Sequence, residues 1–154
     1  MSSERLWSPA FIDYGVSSGI FYMTQYVLVA ALPIILTAEL GGTALDAGLA
    51  MTYFQIGTIL CRPFAGRLID GLDKRIILLI SSVLFFIIMG LFNLTTSLQT
   101  IFVLRGVHGA IFALGTTVMA ALAVVVLPAS RKGEGINMFA VFSNIAMVLG
   151  PARS

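Results

Sequence analysis

Arg105 and His108 stand three residues apart in an otherwise apolar stretch, Leu104-Arg105-Gly106-Val107-His108-Gly109-Ala110. A guanidinium inside an apolar span is costly and normally faces a partner or a water-filled cavity, so Arg105 is a transport candidate. The alternative is a side chain snorkelling to the outer interface from a Cα about 10 Å below it. His108 is able to take up a proton or to sit hydrogen-bonded in a helix packing face. Asp13, at the start of the first apolar block, either binds a proton or cation or is an interfacial acid near a helix N-terminus. A third charged group is the run Gly66-Arg67-Leu68-Ile69-Asp70-Gly71-Leu72-Asp73-Lys74-Arg75. Other chemistry is missing. No nucleophile–base pair, no metal-ligand spacing and no phosphate-binding loop is present, so no enzyme, catalytic residue, metal site or cofactor is expected. Cys61 is the single cysteine, which excludes an intrachain disulfide.

The elements that carry these residues follow from hydropathy. Of 154 residues, 58% are apolar and 10% charged, with a mean hydropathy of +1.01. A soluble domain carries about 25% charged residues, so the chain is an integral membrane protein. Nine basic and seven acidic residues, giving +2, leave no nucleic-acid footprint. Tyr14 to Ala38 is charge-free for 25 positions and Ile76 to Leu104 for 29. About 20 helical residues cross a bilayer core, and the blocks predict helices at about 11–37, 47–69, 75–95 and 98–127. A fifth, incomplete helix is expected at 136–153. The first block is too long for a signal-peptide core, and continuous apolar runs exclude a β-barrel. The fold class is therefore an all-α membrane bundle with four full spans and a partial fifth.

Arg5, Arg67, Lys74, Arg75, Arg131 and Lys132 flank alternate spans, whereas the loops 38–46 and 93–97 hold no lysine or arginine. This asymmetry places residues 1–10 and the loops at 70–75 and 128–135 in the cytoplasm. Small residues four apart, Gly106 with Ala110 and Gly109 with Ala113, form stripes where helices approach closely, as does Gly15 with Gly19. Gly66 near a helix end reads as another close approach, with Asp70 as a capping acid. Phe21, Tyr22, Gln25 and Tyr26 either line a cavity or pack toward lipid and neighbouring helices. Arg62 beside Pro63 reads as structural near the inner interface, and the sequon at Asn93 lies too near a helix to weigh.

Three segments resemble signatures of the major facilitator superfamily. Gly66, Leu68, Asp70, Lys74 and Arg75 match its loop 2–3 pattern, G-x-L-a-D-r-x-G-r-k/r, with Asp73 in place of the usual glycine. The helix-4 segment resembles l-x-R-x-x-q-G-x-g-a, with His108 at the common glutamine position. Ala146-Met147-Val148-Leu149-Gly150-Pro151 resembles the start of the helix-5 antiporter signature, g-x-x-x-G-P-x-x-G-G, in which Ala146 replaces a glycine and Ala152-Arg153-Ser154 departs from the continuation.

The resemblance implies an alternating-access secondary transporter in which helix 5 packs through Gly150 and Pro151. Loop 2–3, centred on Asp70 with Lys74 and Arg75, would contact the second half and help stabilise one state. The helix-5 signature accompanies exporters that exchange substrate for protons. Complete members have two six-helix halves with the substrate site between them. The chain is thus expected to be an N-terminal portion, residues 11–154 forming part of the first half. Its expected partners are the lipid bilayer, a small-molecule substrate, protons and a missing C-terminal half, without which it would not transport. The alternative is a small multi-span protein that transports as a homo-oligomer or binds partner helices without transporting.

Overall fold

A computed structural model describes residues 6–149. Five helices follow one another: α1 (Pro9–Ala38), α2 (Ala44–Gly71), α3 (Lys74–Phe92), α4 (Leu98–Val125) and α5 (Lys132–Leu149). No strand occurs among the described residues, and α1 to α4 are long and apolar enough to cross a membrane. Gly150 and Pro151 lie outside the described residues.

Local chemistry sets the helix ends. Ser8 caps α1, its Oγ accepting from the Phe11 backbone N–H at 3.2 Å, with Pro9 opening the first turn. The α1–α2 link turns at Gly41, where φ is +64°, a region open to glycine at little cost. Thr43 and Asp46 then form a reciprocal capping box, which starts α2 three residues before the apolar run that announces it. Asp73 caps α3 by accepting from the Arg75 N–H at 2.7 Å. Its φ of −64° is ordinary for any L-residue, which explains how aspartate stands at the usual glycine position. The capping acid is therefore Asp73; Asp70 lies in the last turn of α2. α3 ends at Phe92, short of 95, because Asn93, Leu94 and Thr95 turn through i→i−3 bonds. α4 stops ahead of Pro128, and a single 3₁₀ turn at Ala129–Arg131 leads into α5.

α4 is the hub and touches all four other helices. In its most apolar stretch 56% of residues are buried, against 22% in each of α1, α2 and α3. α2 lies against α4 much as α5 lies against α1, and glycines close both pairs. A Cβ added to Gly57 of α2 would strike the Gly106 carbonyl oxygen, and one on Gly109 of α4 would strike that of Phe54. On α1, a Cβ at Gly15 would come within 2.6 Å of the Phe142 ring of α5, and Gly19 faces the Phe142 carbonyl. Gly15 and Gly19 thus serve packing within the chain. α3 completes the bundle by stacking Phe85 on Phe21 of α1, ring centroids 4.1 Å apart.

Candidate functional site

The close α2–α4 approach fixes the surroundings of Arg105. The Thr58 hydroxyl donates to the Phe54 carbonyl at 3.0 Å and lies 3.2 Å from the Gly109 carbonyl. Backbones held this near leave Arg105 no route to solvent, and it is fully buried. Its Nε donates to the Ala50 carbonyl at 3.4 Å, and one Nη donates to Gln25 Oε1 at 3.1 Å. The other Nη points at Met51 Sδ, 3.2 Å away, and the guanidinium carbon lies 4.6 Å over the Phe54 ring. Acceptors from α1 and α2 together with a π face take the place of a counter-charge. No carboxylate pairs with Arg105 among the described residues.

His108 sits one turn on and is also fully buried. Its Nδ1 lies 3.2 Å from the Arg105 Nη that reaches Gln25. Phe54 and Phe85 surround the imidazole at centroid distances of 5.1 and 5.2 Å, and Phe92 stands edge-on at 6.0 Å. Nε2 is buried without a hydrogen-bond partner.

Gln25 links this network to open space. A cleft of about 420 Å³ lies between α1 and α2. Its polar lining is Tyr22, Gln25 and Tyr26 from α1 with Gln55, Thr58 and Arg62 from α2, and Phe112 of α4 contributes an apolar wall. Gln25 therefore borders the cleft on one side and accepts from Arg105 on the other. Arg62 is the cation of this lining, which holds no carboxylate.

The remaining sequence candidates lie elsewhere. Asp13 is exposed on α1, 12 residues and so about 18 Å along the helix from Gln25. Gly66 is inside α2, where an added Cβ meets nothing within 4 Å, so it makes no close approach within the chain. Asp70 and Arg75 are exposed and Lys74 half-buried, and none of these side chains makes a hydrogen bond or ion pair among the described residues. Gly106 and Gly109 do meet α2, through Gly57 and Phe54.

Sequence reasoning passed over Gly57, Met51 and Phe54. Gly57 has no glycine, alanine, serine or threonine four positions before or after it, Tyr53 and Cys61 standing there, so no glycine-type stripe marks it. The signal that was present is helical period: Ala50, Phe54 and Thr58, four apart, share one buried face of α2.

A bundle of apolar helices, four of them long enough to cross a bilayer, with a buried, acid-free arginine behind a polar cleft defines a multi-pass membrane protein. The chain belongs to the major facilitator superfamily, whose family model matches residues 14–153. It is similar to the quinolone resistance protein NorA of Staphylococcus aureus, with 26% identity over 125 residues, covering 81% of this chain and 32% of that protein. It is also similar to the staphylopine export protein of the same species, with 27% identity over 155 aligned positions, 98% of this chain and 37% of that protein. The chain spans about a third of the length of these curated relatives. The family is one of membrane transporters and not of enzymes.

Proposed function

We propose that the chain forms helices 1 to 5 of the N-terminal half of a proton-coupled exporter in the cell membrane, and that it is inactive without the remainder. The observation that carries this reading is the double contact of Gln25, with the cleft and with buried Arg105. The cleft between α1 and α2 is one wall of the substrate pathway, and the missing C-terminal half supplies the other. Its aromatic and hydrogen-bonding lining suits a small amphipathic molecule. The names of the relatives, a quinolone resistance protein and an export protein, support export as the direction.

An arginine does not release its proton. Arg105 acts in coupling as a fixed positive charge, felt in the cleft through Gln25. Asp13 is the candidate proton or cation carrier nearest an aqueous end of α1. The α2–α3 junction, with Asp70 in the last turn of α2 and Lys74 and Arg75 in the first turn of α3, is the gate that meets the second half. Asp70 supports this role because its carboxylate stands at the negative end of the α2 dipole, a poor site for an acid that lacks an outside partner. Gly150 and Pro151 pack helix 5. The N-terminus is cytoplasmic, as the basic residues flanking alternate spans support.

The test is flux in proteoliposomes carrying a proton gradient and a fluorescent amphiphilic dye. The chain alone is expected to give no gradient-driven flux. Co-reconstituted with the remaining seven spans, helix 6 and the six-helix C-terminal half, it is expected to give flux that Arg105→Met abolishes. Flux by the isolated chain would overturn the fragment reading and favour a homo-oligomeric pathway. Full flux with Arg105→Met would overturn the role of Arg105.

A further inference from the structure

His108 carries two nitrogens with opposite fates, and elementary donor chemistry sorts them. A guanidinium has donors on every nitrogen and no acceptor. The Arg105 Nη within 3.2 Å of Nδ1 must therefore donate to a bare nitrogen. A neutral imidazole holds its one proton on the other atom, so Nε2 carries N–H. That N–H is buried and unpaired amid the faces and edges of Phe54, Phe85 and Phe92, where weak N–H···π contact is the available partner.

Protonating the ring would put a donor on Nδ1 against the guanidinium donor, two positive groups at hydrogen-bond distance. Arg105, on its own helix, is the charged group facing the ring. Among the described residues, α2 presents Phe54 and α3 presents Phe85 and Phe92, and neither helix offers a carboxylate there. α1 reaches the network through Gln25, an uncharged amide.

The geometry points to His108 as a positioning residue for Arg105, a neutral acceptor locked in the Nε2–H tautomer, and not as a carrier of the transported proton. The same Nη is shared by His108 Nδ1 and Gln25 Oε1, so the imidazole sets the angle at which the guanidinium meets the cleft-lining amide. Phenylalanines from α2 and α3 hold the ring, and His108 in turn holds the arginine. The bearing on transport rests on the reading of Arg105 above, whereas the tautomer is a property of the chain alone, so the two can fail separately.

The chain has one histidine, which makes the experiment direct. Ring-¹⁵N-histidine is incorporated into the full chain in lipid bilayers and observed by solid-state NMR. The expected result is a pyridine-type Nδ1, a pyrrole-type Nε2 and dipolar transfer from an arginine guanidinium proton to Nδ1. Arg105→Met is expected to abolish that transfer and shift Nδ1. An imidazolium, an Nδ1–H ring, or an Nδ1 signal unmoved by Arg105→Met would each overturn the assignment. A second arm compares His108→Gln, whose amide oxygen can accept from Arg105, with His108→Leu, which cannot. The guanidinium ¹⁵N signal of Arg105 is expected to stay in the first and move in the second. Identical signals in both would also overturn it. If His108→Leu does not fold, the wild-type spectrum still decides.

Discussion

Gly109→Ala tests whether the α2–α4 contact holds the site together. An added Cβ would strike the Phe54 carbonyl oxygen and lie 2.9 Å from its carbon and 3.1 Å from the Thr58 nitrogen. Ordinary contact begins near 3.4 Å, so the Thr58 nitrogen must retreat by about 0.3 Å, the Phe54 carbon by about 0.5 Å and its oxygen by more. Backbone inside a helix cannot step aside alone, and this part of α2 moves as a body. Overpacking of this kind costs about 1–3 kcal/mol. The Thr58–Gly109 contact across the helices would go too, at about 0.6 kcal/mol. Alanine returns about 0.5–1 kcal/mol through its better helix propensity. The balance is a loss of about 2 kcal/mol, roughly a 30-fold shift in the folding equilibrium at about 1.4 kcal/mol per tenfold. The assay is reversible unfolding of the purified chain in mixed micelles, followed by helical circular dichroism. Gly66→Ala is the control, since its Cβ meets open space and only the propensity gain applies. Equal effects of the two substitutions would refute the reasoning.

Two further outcomes follow from the same geometry. Gly41→Ala places a Cβ on a backbone at φ +64° with nothing within 4 Å. Only conformational strain is felt, and a loss of about 1–2 kcal/mol is expected in the same unfolding assay. Arg105→Met removes a buried charge, which by itself is neutral or stabilising. It also strands Gln25 Oε1 and His108 Nδ1 without their donor, at about 1–3 kcal/mol. These effects oppose each other, so folding is expected to change by only about 1 kcal/mol while flux in the co-reconstituted transporter is lost. A collapse of folding would make Arg105 a structural residue.

The all-α membrane class was legible because hydropathy is a property of consecutive residues, and charge-free runs such as Ile76 to Leu104 need no tertiary information. The family signatures were legible for a similar reason, being short and contiguous. What surrounds Arg105 was not. Its acceptors on other helices come from positions 25, 50 and 51, separated from it by 80, 55 and 54 residues, and no local pattern encodes which faces meet. The glycines show the same limit. Gly66 looks like a close-approach residue and faces open space, whereas Gly57 looks isolated and sits against Gly106. Whether a glycine matters depends on its helix face, and faces are chosen by packing. Helix ends moved by a few residues where side chains cap them, as Thr43 and Asp46 do, beyond the reach of a hydropathy count.

The central position of α4 has a consequence for biosynthesis. Every acceptor of the buried guanidinium on another helix precedes it in the chain: Gln25, Ala50 and Met51. At roughly 5–20 residues per second, the 80 residues between Gln25 and Arg105 correspond to about 4–16 s of translation. The first two helices thus leave the ribosome as an unfinished cradle, with the Gln25 amide and the second lone pair of the Ala50 carbonyl in place before their donor. The cation is synthesised after all three, and of its acceptors only His108, three residues further along its own helix, follows it. Reversing that order would ask the membrane to hold a bare charge first.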